Sequence, residues 1–281
     1  MSTAVAMIGL GRMGGPMADH VARAGLALRV HDRSTAAVAA RVATGAVAAG
    51  SAADAARGAS VVGITVLDDD QVLDVLSGSD GVLGVLEPGA VVAVHSTVRP
   101  ATVRTAVARG AERGVIVLDA GISGGETGAV AGTLLSLVGG PTAAVDRARP
   151  YFEAFSKEVV HAGPSGAGMA LKLARNATGY AWMAAVHEAM ELAVRAGVGA
   201  EVLRHTIAET GVFEQALVPL GLGGPEPFPP DTPAATLAAF THTVRLADKD
   251  LDHALELAAD LGVATPGFAV VRTEFHRSVR L

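Results

Sequence analysis

The chain has 281 residues, half of them apolar, with a formal net charge of −6 and a sequence pI near 5.8. That length suits two domains with substantial cores, and the acidic balance without any basic run excludes a surface that tracks nucleic-acid phosphates. The absence of cysteine excludes disulfides, thiolate chemistry and Cys metal sites, and no apolar stretch reaches the roughly 18–20 residues of a membrane span. Residues 2–10 carry no basic leader or cleavable segment, so a cytoplasmic protein with no membrane partner is expected.

Ala4, Val5, Ala6, Met7 and Ile8 form an apolar run closed by Gly9, and residues 12–24 repeat apolar positions at helical spacing until Gly25. Strand, tight turn and helix are expected in that order. Residues 26–31 read as a second strand, with Asp32, Arg33 and Ser34 at its carboxyl end. Apolar runs at 61–67, 91–94 and 115–118 alternate with helical stretches at 69–76 and 101–113, which predicts a parallel sheet covered on both faces. Residues 134–138 and 158–161 are expected to add edge strands, with a helix between them at 145–155. Beyond Gly163 and Pro164 the strand pattern stops. Residues 168–196 form one long helical pattern ended by Gly197 and Gly199, and a shorter one follows at 200–209. A Pro- and Gly-rich irregular loop at 219–233, a broken helical stretch at 236–261 and a last helix opened by Pro266 complete the chain.

Gly9, Leu10, Gly11, Arg12, Met13 and Gly14 match GxGxxG between a strand and a helix. The first glycine permits the turn, the second lets a pyrophosphate approach the backbone, and the third lets helix and strand pack closely. The helix amino end offers N–H groups to the anion. In a chain with 34 glycines the pattern alone is weak, and its setting separates it from a glycine-rich turn without a ligand. About 20 residues further on, a carboxylate is expected to bind the adenine ribose, and Asp32 holds that place. It favours NAD, because it would repel the 2′-phosphate of NADP, although Arg33 and Ser34 could hold such a phosphate. The cofactor is therefore NAD or NADP, with the balance toward NAD. The predicted architecture is α/β, a Rossmann doubly wound and mainly parallel sheet over 1–163 joined by a long helix to an all-α domain over 164–281.

Three further places draw attention. Ser123, Gly124 and Gly125 offer a hydroxyl and unobstructed N–H groups suited to a substrate carboxylate, though the same tripeptide also serves as a plain flexible loop. Ser96 and Thr97 close another strand on the ligand-binding edge, where either could instead cap a helix. Lysine occurs only at 157, 172 and 249 and asparagine only at 176. Lys172 and Asn176 share a helix face about 5–6 Å apart. A lysine can exchange a proton with an alcohol if desolvation or a neighbouring positive charge lowers its pKa from about 10.4. No metal site is expected: His187 and Glu191 lack a third ligand with suitable spacing, and with Glu188 they read as a solvated or interface face.

The chain resembles the β-hydroxyacid dehydrogenases, the family of 3-hydroxyisobutyrate dehydrogenase. The resemblance is carried by Gly9 through Ala18, by Ser96 through Pro100, by Asp119 through Gly125 with Gly132, Thr133 and Leu134, by Gly166, Ala167 and Gly168 leading to Lys172 and Asn176, and by Lys249, Asp250 and Leu251. It implies that Lys172 is the catalytic acid/base, that Ser123, Gly124 and Gly125 hold the substrate carboxylate and that Asn176 orients the substrate. It also implies that Thr97, with Ser96 beside it, and Lys249 lie against the nicotinamide. The family often has Pro in place of Gly121 and Met-Leu-Pro in place of Val66, Leu67 and Asp68, so only backbone contacts are expected from Leu67. The implied activity is NAD(P)-dependent hydride transfer to or from a short 3-hydroxy acid or its semialdehyde. Imine reduction, or a non-catalytic dinucleotide-binding sensor, are the alternatives, and retention of Lys172 counts against both. A small carboxylate is the implied partner, together with other copies of the chain in a dimer or tetramer.

Overall fold

Strand β1 (Ala4–Ile8) is the seed from which a sheet grows in both directions, and its residues show how two cores form. Val5 and Met7 project into one apolar cluster and Ala6 and Ile8 into another, the period-two alternation of a strand buried on both faces. The structure, a computed structural model, describes residues 4–215, 217–222 and 224–281.

After α1 (Gly14–Arg23) come β2 (Ala27–His31), α2 (Thr35–Val42), β3 (Val47–Ala48), α3 (Ala52–Ala56) and β4 (Val61–Ile64). Then follow α4 (Asp69–Ser77), β5 (Val91–Val94), α5 (Pro100–Ala111), β6 (Ile116–Ser123), α6 (Gly125–Ala131), β7 (Leu134–Gly139), α7 (Thr142–Glu153) and β8 (Ser156–Gly163). The strand order is β3-β2-β1-β4-β5-β6-β7-β8, parallel throughout except between β6 and β7. Met17, Ala18 and Val21 of α1 and Ala148, Tyr151 and Phe152 of α7 fill one face. Ala55 of α3, Val72 and Leu76 of α4, and Val103 and Ala106 of α5 fill the other.

Several expectations change. Residues 134–138 are not an edge, because β7 lies between β6 and β8. The strand expected to stop at 118 runs on to Ser123, since residues 119–123 pair with β7, the last four of them beyond the point where β5 ends at Val94. The strand expected over 61–67 ends at Ile64, which frees the next three residues to turn along the sheet's carboxyl edge.

Contacts divide the chain into two compact units, one ending at Asn176 and one of Ala177–Leu281. Helix α8 (Ala167–Arg195) begins in the first and continues into the second. The second also holds α9 (Ala200–Glu209), α10 (Val212–Gln215), α11 (Val218–Gly221), α12 (Ala234–Leu261) and α13 (Pro266–Ser278). The break expected within 236–261 is absent, and α12 is continuous. Arg272 of α13 joins Asp248 and Asp252, one turn apart on α12. Among the described residues, no helix is long and apolar enough to cross a membrane.

Glu188 corrects the solvated-face expectation, because it is buried and accepts hydrogen bonds from the Gly267 and Phe268 amides, at 2.8 and 3.1 Å. Its carboxylate caps α13, where Thr265 supplies no side-chain cap. Glu188→Ala should lower the unfolding free energy by about 1–2 kcal/mol, the usual worth of a helix cap. Denaturant titration followed by helical circular dichroism checks this, and an unchanged midpoint would contradict it.

Candidate active site

The carboxyl ends of the strands enclose a cavity of about 790 Å3 within the first unit. Gly9 and Gly11 line it after β1, Asp32 and Arg33 after β2, Leu67 after β4, and Ser96 and Thr97 after β5. Arg12, Met13, Gly125 and Lys172 line it as well, whereas Leu10, Gly14, Ser123, Gly124, Asn176 and Lys249, also expected at the site, are not among its lining residues. His31, Thr65, His95 and Ile122 also line it.

The three motif glycines differ in what a side chain would meet. A Cβ on Gly9, whose φ is +91°, or on Gly14 would collide with backbone, of Thr65 and of Gly9 respectively. A Cβ on Gly11 would meet nothing within 4 Å. Its missing side chain is thus open space at the amino end of α1, where no side chain caps the helix. Thr65 Oγ1 is buried there without a partner among the described residues. Open backbone, helix amino end and an orphaned hydroxyl fit a pyrophosphate-bearing cofactor.

Asp32 fixes this loop. Its carboxylate accepts from the Leu10 amide and the Ser34 amide, both at 2.7 Å, so the end of β2 is tied to the glycine turn. Leu10 itself is buried under the loop. Arg12 pairs at 2.7 Å with Glu126, the second residue of α6, linking the glycine loop to the Ser123 turn. Ser96 donates its hydroxyl to Val66 O at 2.7 Å and caps no helix. Asp68 is the residue that caps one: it accepts from the Gln71 amide at the start of α4. Arg99 is exposed and pairs with Asp69.

His95 ties the end of β5 to β6. Where β5 ends, Ala120 O on β6 loses its ladder partner, and His95 Nδ1 lies 2.8 Å from it. A carbonyl only accepts, so Nδ1 carries the proton, and Nε2 accepts from the Tyr151 hydroxyl at 2.9 Å. Gly63 makes room for that hydroxyl, since a Cβ at 63 would collide with it. Burial lowers the His95 pKa to about 4 and raises that of Tyr151. The unfolded chain takes up a proton near pH 6.5 that the folded one refuses, so stability falls as pH drops from about 6.5 to about 4. About 3 kcal/mol should be lost across that window, and His95→Gln should flatten the fall. Melting temperature against pH reads both, and parallel curves would contradict the assignment.

Lys172 lies on the first turns of α8 against β6. Its stem packs on Gly121, where a Cβ would stand 3.1 Å from Lys172 Cβ, and its Nζ donates to Ile122 O. Desolvation, and secondarily the Arg175 charge, lower its pKa. Ser123 is buried at the end of β6, and Gly124 and Gly125, with φ of +131° and +63°, open α6. Asn176 follows one turn after Lys172, its Oδ1 3.4 Å from Arg175 Nη1. Lys249 stands on α12 of the helical unit, exposed and 3.1 Å from Asp250. Among the described residues no group of three or more His, Asp or Glu side chains is gathered for a metal.

A mainly parallel sheet with a glycine turn and an uncapped helix amino end at its carboxyl edge is the architecture of a dinucleotide-binding protein. Residues 4–163 match the NAD-binding domain of 6-phosphogluconate dehydrogenase. The chain is 40% identical over 266 residues to an NAD-dependent L-serine dehydrogenase of Pseudomonas aeruginosa, covering 93% of this chain and 87% of that protein. It is 38% identical over 275 residues to 3-hydroxyisobutyrate dehydrogenase of the same organism, covering 97% and 91%. The crystal structure of a putative oxidoreductase from Mycobacterium avium superimposes with a TM-score of 0.86 at 32% identity, covering 98% of each chain. The chain belongs to the β-hydroxyacid dehydrogenase family.

Proposed function

We propose that the protein interconverts a short 3-hydroxy acid and its semialdehyde, with Lys172 as general acid/base. The observation that carries this reading is the Lys172 amine, half-buried on the cavity wall, with one N–H engaged by Ile122 O and its pKa lowered by desolvation. In its free form the amine can take the hydroxyl proton as the alcohol is oxidised, and its ammonium can return one to the developing alkoxide. A nicotinamide held in the cavity would supply the chemistry of hydride transfer.

The remaining roles are those the family resemblance implies. Gly9, Leu10, Gly11, Arg12, Met13 and Gly14 would cradle the pyrophosphate, with Asp32 and Arg33 at the adenine ribose. Asp74 and Asp80 line that cavity with Asp32, and three carboxylates disfavour a 2′-phosphate, which supports NAD over NADP. Ser123, Gly124 and Gly125 would hold the substrate carboxylate, and Asn176 would orient the substrate. Leu67, Ser96, Thr97 and Lys249 would border the nicotinamide. The close relatives named for L-serine and 3-hydroxyisobutyrate both act on compounds bearing a 3-hydroxyl and a carboxylate, which supports the substrate class.

Tyr180, Met183, Val186, Met190 and Val194 of α8 are exposed and apolar, a helix surface that calls for cover. A second copy of the chain is the proposed cover, and light scattering that returned only the monomer mass would remove this part. For the reaction, nicotinamide absorbance is followed with 3-hydroxy acids, semialdehydes and cyclic imines, using NAD and NADP in turn. Turnover is expected with the 3-hydroxy acids and semialdehydes and preferentially with NAD. Turnover of imines alone, or cofactor binding without any turnover, would overturn the reading.

A further inference from the structure

We propose that Asp119 is the positioning residue for Lys172, holding the first turn of α8 so that the amine meets the cavity at a fixed place. The inference rests on the acid/base reading of Lys172. Asp119 is a carboxylate only 1% exposed in the middle of β6, where strand side chains are ordinarily apolar. Its two oxygens are used separately: Oδ1 accepts from the Gly166 amide and Oδ2 from the Met169 amide, both at 2.7 Å. These are N–H groups at the amino end of α8, which a buried carboxylate satisfies while meeting the positive end of the helix dipole.

The joint is closed on all sides. A Cβ on Gly168 would come within 2.5 Å of Leu137 O and 2.6 Å of Asp119 O, and one on Gly139 within 2.6 Å of Asp119 Oδ1. The helix start therefore sits directly on strand backbone, with no side chain between them to yield. Met169, whose amide Asp119 binds, precedes Lys172 by three residues, one helical turn. Two and three residues beyond Asp119 on the same strand, Gly121 receives the lysine stem and Ile122 O its Nζ. One strand thus fixes both ends of the lever, the helix at 119 and the amine at 122. Arg175 on α8 is the charge that acts on that amine, and His95 after β5 shares the cavity lining with it.

Asparagine at 119 would turn an N–H2 toward one of the two amides and lose that bond. Asp119→Asn is expected to lower kcat about tenfold to a hundredfold, as small misplacements of a reacting group do, while KM and NAD affinity change less than about threefold. Two readouts separate position from mere stability. The pH dependence of acetic anhydride labelling at Lys172, quantified by mass spectrometry, should give a raised amine pKa in the variant as the loosened side chain reaches water. The basic limb of the rate profile should move with it. An unchanged labelling pKa and kcat would overturn the proposal, and a lowered pKa would show that Asp119 acts through charge and not position. Hydrogen exchange in the unaltered protein is a second test that needs no variant: the Met169 amide should be strongly protected, and rapid exchange would overturn the proposal. Lys172→Ala, labelled and assayed in parallel, keeps the two readings apart. If it retains turnover, the acid/base reading fails, whereas its inactivity beside an unperturbed Asp119→Asn variant removes only the role of Asp119.

Discussion

Lys172→Ala should lower kcat by about two to four orders of magnitude, the usual contribution of a positioned acid/base, while NAD affinity stays within a few-fold of the unaltered protein. The split follows from where the side chain stands. Its amine contacts Ile122 O and the cavity, and its stem lies on Gly121, away from the glycine turn that would hold the pyrophosphate. Removing it leaves a small void beside a glycine and one freed carbonyl at the cavity wall, a modest structural change. Steady-state kinetics and nicotinamide fluorescence titration measure the two quantities separately. Added primary amines should restore part of the rate, and a loss of NAD binding equal to the loss of rate would assign Lys172 to the cofactor instead.

A second large effect is expected at the glycine turn, and it should differ between two positions of one motif. A Cβ on Gly14 would collide with Gly9 O and stand 3.1 Å from Thr65 Cβ, so helix α1 must move off the turn. Gly14→Ala should cost about 1–3 kcal/mol of stability, as core overpacking does, and should also abolish measurable NAD binding. At Gly11 the same methyl group would enter open cavity and touch nothing. Gly11→Ala should therefore melt like the unaltered protein and still bind NAD at least tenfold more weakly, because it occupies the space needed for close approach of the pyrophosphate. Thermal melting with and without NAD distinguishes the variants. Equal NAD affinity in Gly11→Ala and the unaltered chain would contradict the cradle.

Much of this was legible in the residues, for identifiable reasons. The fully buried strands Val61–Ile64 and Val91–Val94 are continuous apolar runs, and GxGxxG declares its own neighbours. Helix α2 escaped notice because it buries no residue, and α3 because its five residues are four alanines and an aspartate, without an apolar stripe to read. Helix α6 lay hidden in the run of small residues that also makes the Ser123 turn.

In the site, the lining residues that come from motifs were readable. The carboxylates and histidine that brace them were not, because their partners are backbone atoms far along the chain. Asp119 meets residues 47 and 50 positions away, and His95 a carbonyl 25 away. A lone acidic residue within an apolar strand, as at Asp119, was the available signal. Lys172 is half-buried, because Gly121 leaves room for its stem.

The pH dependence of kcat, measured in both directions of the reaction for the unaltered protein and for Lys172→Ala, tests the central claim most directly. Burial lowers the Lys172 pKa, so its free amine is available below the ordinary lysine range. Alcohol oxidation should rise with pH through a midpoint below about 10.4, and carbonyl reduction should fall through the same group as the ammonium is lost. Both limbs should vanish from the residual rate of Lys172→Ala. The same limbs persisting in that variant would show that another group moves the proton.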